Sequence, residues 1–162
     1  MGEFLARLIK PVLLVLISGI VLVGCASVQE SSSADRHKIY QTFIADQQLA
    51  PVEKITSFRF SGWKSLDDKY LIITSNYKKD YLVELNSSCV GLRHATTIKV
   101  NRFSDMSLSR LGDTISVIGG SAFPCHIKGI YPLTREQSRD LWDTVKGSGE
   151  VVIEKSVEAG KG

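Results

Sequence analysis

Tyr70-Leu71-Ile72-Ile73-Thr74, Ser75-Asn76-Tyr77-Lys78-Lys79-Asp80 and Tyr81-Leu82-Val83-Glu84-Leu85 follow one another without a break. The outer segments are apolar or β-branched, and the segment between them is polar and turn-prone. That pattern predicts two strands joined as a hairpin. Upstream, Ser61-Gly62 reads as a turn and 52–60 as extended chain. From Arg36 to Ala50 the residues Ile39, Tyr40, Phe43, Ile44 and Leu49 fall mostly on one helical face, and Pro51 marks the end of that helix. Downstream, 96–100, 114–118 and 127–133 are short apolar or β-branched runs broken by Gly112, Gly119-Gly120 and Pro124. A second helix is expected from Thr134, whose hydroxyl can cap the backbone while Gln137 completes a capping box. Leu141, Trp142 and Val145 form its apolar face and Gly147 is its stop. Residues 151–153 could add an edge strand, and 156–162 are expected to fray. The order helix, strands, helix predicts an α+β fold, a mainly antiparallel sheet flanked by an N-terminal and a C-terminal helix. One globular domain over 36–155 accommodates it.

Ahead of that domain lies a different kind of chain. Arg7 and Lys10 precede an apolar stretch, Pro11 to Val23, interrupted only by Ser18 and Gly19. Its 13 residues fall short of the roughly 20 that a membrane-spanning helix needs. The tetrapeptide Leu22-Val23-Gly24-Cys25 resembles the lipobox of bacterial lipoproteins. The resemblance implies that residues 1–24 are a signal peptide recognised at Leu22, Val23 and Gly24, and that Cys25 carries the acyl chains. Two or more such chains hold a protein stably on a bilayer, at about 0.8 kcal/mol per buried methylene. Ala26, where inner-membrane retention would call for aspartate, implies the outer membrane, facing the periplasm. Residues 26–35, Ala-Ser-Val-Gln-Glu-Ser-Ser-Ser-Ala-Asp, have almost nothing to bury, so 25–35 is expected to be a lipidated tether.

Removing residues 1–24 leaves 138 residues, enough for one domain with a core. It takes away Arg7, Lys10 and Glu3, lowering the net charge from +3 to +2. The sequence pI of about 8.8 comes without a basic tract, so nucleic-acid binding is not indicated. Arg102, Arg110 and Lys99 are too dispersed to predict a patch.

Cys89 and Cys125 remain once Cys25 is assigned to lipid. In an oxidising compartment such a pair is expected to form a disulfide, closing a loop worth about 4 kcal/mol by chain-entropy arithmetic. The spacing excludes a CxxC dithiol. Pro124-Cys125-His126 and His94 raise a Cys/His nucleophile or metal cluster, but neighbours in an extended segment face opposite ways. HxxxH, HExxH and CxxC spacings do not occur, and no metal or cofactor is expected. Gly119-Gly120-Ser121 lacks the GxSxG pattern and reads as a turn. Asp67-Asp68 reads as a turn where aspartate binds local backbone. Trp63 and Trp142 read as core.

The segments Gly62-Trp63-Lys64-Ser65-Leu66-Asp67, Tyr81-Leu82-Val83-Glu84-Leu85, Cys89-Val90-Gly91-Leu92 and Pro124-Cys125-His126-Ile127 resemble, in this order, a domain-of-unknown-function family of small secreted proteins and lipoproteins of Gram-negative bacteria. The similarity covers about Ile55 to Leu133 and implies fold and export, with both cysteines matching the family's pair. The expected function is a membrane-anchored periplasmic lipoprotein, a non-enzymatic binding or envelope-structural module. Its partners would be the bilayer through Cys25 and an envelope protein, lipid or glycan. The alternative is an envelope enzyme with a Cys/His site, or with His94, His126, Asp105 or Asp113 as acid or base.

Overall fold

In the computed structural model, the described residues are 33–120, 123–147, 154 and 155. Leu22, Val23, Gly24 and Cys25, tether residues 26–32, the segment 151–153 and the tail 156–162 lie outside them. The elements are α1 (Ser33–Asp46), β1 (Lys54–Thr56), β2 (Phe60–Ser65), β3 (Tyr70–Ser75), β4 (Lys79–Leu85), a 3-10 turn (Leu92–His94), β5 (Ile98–Asn101), β6 (Ser107–Ser109), β7 (Thr114–Val117), β8 (Cys125–Leu133), α2 (Arg135–Gly147) and β9 (Glu154–Lys155). Seven strands make an antiparallel sheet in the order β5-β7-β8-β4-β3-β2-β9, and β1 pairs with β6 in a separate ribbon.

The hairpin lies within this sheet, as β3 and β4. Pairing runs from Tyr70↔Glu84 to Ser75↔Lys79, and Asn76 and Tyr77 take left-handed φ values of 52° and 60° between them. Two left-handed residues give the turn the twist that the flanking strands need. Because side chains alternate across a strand, the hairpin feeds two cores. Leu71, Ile73, Val83 and Leu85 face a larger cluster with Trp63, Ile115, Ile127 and Ile130, which the ribbon closes with Ile55 and Leu108. Tyr70, Ile72 and Leu82 face a smaller one, covered by Tyr40 of α1 and by Leu141, Trp142 and Val145 of α2. Fully buried leucines and isoleucines of this kind contribute about 1.5–3 kcal/mol each.

The helices show why local chemistry sets their ends. Thr134 and Gln137 form the expected capping box: the Gln137 amide donates to Thr134 Oγ1 at 3.1 Å and the Thr134 amide to Gln137 Oε1 at 2.9 Å. The first helix starts at Ser33, three residues into the stretch read as tether, and ends at Asp46, not Ala50. Gln48, with φ 49°, closes it: the Gln48 amide donates to the Ala45 carbonyl and the Leu49 amide to that of Ile44. This is a Schellman ending built without glycine, and it frees the Val52 amide to donate to the Ile130 carbonyl at 2.8 Å.

Ser61-Gly62 is not a turn. It lies inside β2 at a register shift between Phe60 and Gly62, so the extra residue is absorbed as a bulge. The described edge strand is Glu154–Lys155, paired with Trp63 and Lys64 of β2.

Candidate functional site

Cys89 and Cys125 form a disulfide, with their Cα atoms 5.8 Å apart. Cys125 is therefore no free nucleophile, and the alternation of β8 leaves Cys125 buried and His126 exposed. His94 is also exposed, at the end of the 3-10 turn. Asp105 lies in an exposed loop, whereas Asp113 is buried and accepts the amides of Phe103 at 2.8 Å and Ser109 at 2.7 Å. These bonds give Asp113 a structural duty. Among the described residues no group of three or more His, Cys, Asp or Glu could hold a metal ion. No helix among them is long and apolar enough to cross a membrane.

Asp67 does bind local backbone, accepting the amides of Lys69 and Tyr70 through Oδ1, both at 2.6 Å. Its other oxygen stands 3.4 Å from Nε2 of His37 on α1, an ion pair when the imidazole is protonated. Burial pushes the Asp67 carboxyl above the usual range, against those two amides and the positive charge of His37 and Arg36. Tyr40 packs on Tyr70, with ring centroids 4.6 Å apart, and donates to the Leu66 carbonyl. These contacts seat α1 on the β2–β3 turn.

A second buried acid, Glu84, lies opposite Tyr70 and is only 4% exposed. Its Oε1 accepts the Tyr70 hydroxyl at 3.1 Å and the Lys128 ammonium at 2.8 Å, with the Lys69 ammonium at 3.7 Å. Lys128 reaches it through a register shift: Ile127 pairs with Leu85 and Gly129 with Glu84, leaving Lys128 unmatched in β8. A Cβ at Gly129 would meet the Tyr131 ring at 2.8 Å, so a larger residue there would displace that ring. Burial first and Glu84 second push the phenols of Tyr70 and Tyr131 upward, and the hydrogen bond to Glu84 raises Lys128. Two ammonium groups thus face one buried carboxylate, with the Lys128 side chain half exposed.

A concave feature among the described residues gathers more cations around its acid. A cleft of about 320 Å³ opens between β2, the β3–β4 turn and the start of α2. Four cations line it: Lys64 from β2, Lys78 from the turn, and Arg135 and Arg139 from α2. Asp80 is the acid among the lining residues, and its carboxylate accepts the Thr74 hydroxyl at 2.7 Å. Trp142 forms a wall, with the Lys64 ammonium 4.7 Å from its ring centroid, a cation–π distance. Tyr77, 84% exposed, stands at the rim. The sequence reading singled out none of the four cations, although an Arg-x-x-x-Arg pair at the head of an amphipathic helix is a visible signal.

Fold and cleft together define a disulfide-bridged α+β sheet domain with a cationic groove beside its C-terminal helix. The chain belongs to a family of unknown function, DUF6491, whose model matches residues 8–149. No curated protein and no solved structure matches it.

Proposed function

We propose that this protein is a membrane-anchored periplasmic lipoprotein, a non-enzymatic module that binds an envelope partner through the cationic cleft. Leu22, Val23 and Gly24 are the recognition segment ahead of the scissile bond, Cys25 carries the acyl chains, and the site of action is the periplasmic face of the outer membrane of a Gram-negative cell. The family match supports this reading in one respect: it begins at residue 8 and so takes in the apolar run and Cys25 together with the folded domain. The observation that carries the binding role is the cleft itself, where Lys64, Lys78, Arg135 and Arg139 converge on a single lining acid. Of these, Lys78, Arg135 and Arg139 have no carboxylate within ion-pair distance among the described residues, and a ligand of opposite charge would match them.

Two measurements test the two halves. Radiolabelled fatty acid should enter the wild-type chain and not the Cys25→Ser variant; equal labelling of both removes the anchor. Crosslinking of the membrane-retained protein should capture an envelope component whose recovery falls when Arg135 and Arg139 are both changed to Gln. Undiminished recovery removes the cleft as the binding surface.

A further inference from the structure

Ser138 of α2 lines the cleft and is only 8% exposed. Its amide donates to the Thr134 carbonyl, but among the described residues no hydrogen bond engages its hydroxyl. A hydroxyl so enclosed ordinarily finds a partner within the fold. Left without one on the wall of a concavity, it is a donor available to what enters.

Two guanidinium groups share its face of the helix, since Arg135, Ser138 and Arg139 are spaced i, i+3 and i+4 and all line the cleft. Arg139 has Glu136 three residues before it and Asp143 four after, the spacings at which helical ion pairs form, yet stands within ion-pair distance of neither. Arg135 heads α2, where the amide dipoles already sum to positive charge and a cation is unfavourable. Lys78 adds an ammonium from the β3–β4 turn. Among the described residues, no carboxylate stands within ion-pair distance of it or of Arg135. Lys64 is already engaged, its ammonium over the Trp142 ring.

We infer that the cleft takes a phosphomonoester, held by the Arg135 and Arg139 guanidiniums, the Lys78 ammonium and the Ser138 hydroxyl. This rests on the reading of the cleft as a binding site and names the chemistry it selects. Lys78, Arg135 and Arg139 against Asp80 leave two positive charges to be matched, and a phosphomonoester at neutral pH carries about −1.5 to −2. A carboxylate, a sulfate ester or a phosphodiester carries a single charge and would leave the other unmatched. The oxygens make the same choice. A carboxylate presents two, which one guanidinium fork satisfies, whereas a terminal phosphoryl group presents three, so that both forks, the ammonium and the hydroxyl can all donate. The volume of about 320 Å³ is near the lower end of the roughly 300–1,000 Å³ of small-molecule sites and suits a headgroup or a single phosphorylated sugar.

The test is calorimetric titration of two phosphomonoesters, glucose 6-phosphate and dihexanoyl phosphatidic acid, into the full chain in nonionic detergent at low salt. At least one should bind saturably, about tenfold more weakly to Arg135→Gln or Arg139→Gln and about fivefold more weakly to Ser138→Ala. Lys99→Gln, on β5, should bind as the wild type does. The singly charged counterparts, glucose 6-sulfate and dihexanoyl phosphatidylglycerol, should bind about tenfold more weakly than the monoester on the same carrier. Tighter binding of the phosphatidic acid supports a lipid headgroup as the source of the phosphate, and tighter binding of the sugar phosphate a soluble one. Absence of saturable binding of either monoester at millimolar concentration overturns the inference. A singly charged counterpart that binds as tightly as its monoester, and is weakened by the arginine variants, overturns the phosphomonoester alone and leaves the cleft a binding site. Monoester affinity unchanged in both arginine variants and in Ser138→Ala, with unchanged circular dichroism, overturns the cleft as the site.

Discussion

Two groups of cations occupy the helix-covered side of the sheet, and they are built on different terms. Lys69 and Lys128 converge on Glu84, a carboxylate shielded from water that also takes the Tyr70 hydroxyl. Lys64, Lys78, Arg135 and Arg139 line the cleft with Asp80 as the lining acid, and Lys64 lies over the Trp142 ring. The first arrangement is what a buried acid requires, since an unpaired charge out of water costs several kcal/mol. In the second, Arg135 is the first residue of α2, where the amide dipoles already sum to positive charge and a cation is unfavourable. Lys69 and Lys128 serve a buried acid, whereas Lys78, Arg135 and Arg139 face a concavity with no carboxylate within ion-pair distance among the described residues, which marks where something else is to be matched.

The disulfide belongs to neither group and sets the scale: replacing Cys89 and Cys125 by serine should lower unfolding free energy by about 4 kcal/mol in urea titrations. Next comes Glu84→Ala, expected to cost about 3 kcal/mol, because the Tyr70 hydroxyl loses its acceptor and Lys128 its partner. If that variant unfolds no more readily than Arg139→Gln, the contrast between the groups fails.

A smaller effect is expected at Asp67, which burial holds above its ordinary value of 3.8. The folded state then binds this proton more tightly than the unfolded chain. Ionising Asp67 therefore lowers stability as pH climbs from about 3.8 through the folded value. Asp67→Asn should flatten that slope in urea midpoints measured across the range. A slope unchanged by the substitution would mean that the N–H bonds from Lys69 and Tyr70 offset burial in full. Smallest is Arg135→Gln, expected to raise stability by about 0.3–1 kcal/mol. A loss of stability would show that the arginine serves the helix after all.

Much of this architecture could be read from short stretches. The Tyr70–Leu85 hairpin, the Thr134/Gln137 capping box, the pairing of Cys89 with Cys125 and the burial of Trp63 all follow from local composition or from cysteine arithmetic, and all are present. What failed depended on neighbours. Ser61-Gly62 has turn chemistry, yet pairing along β3 carries the strand straight through it as a bulge. Ser107-Leu108-Ser109 has one apolar residue and becomes a strand because Ile55 lies opposite Leu108. The cleft was illegible for a further reason: Lys64 and Arg139 are far apart in sequence, and only the packing of α2 against the sheet brings them together. Glu84, a lone acid in Tyr81-Leu82-Val83-Glu84-Leu85, carried a local signal of a buried partner that went unread.

The strand order also bears on behaviour at high local concentration. At one margin of the seven-stranded sheet lies β5, four residues long, with the exposed Lys99 on it. A rim so brief and carrying an ammonium gives an incoming chain few backbone groups to copy and a charge to desolvate on arrival. This margin is thereby guarded against pairing with a strand from a second copy.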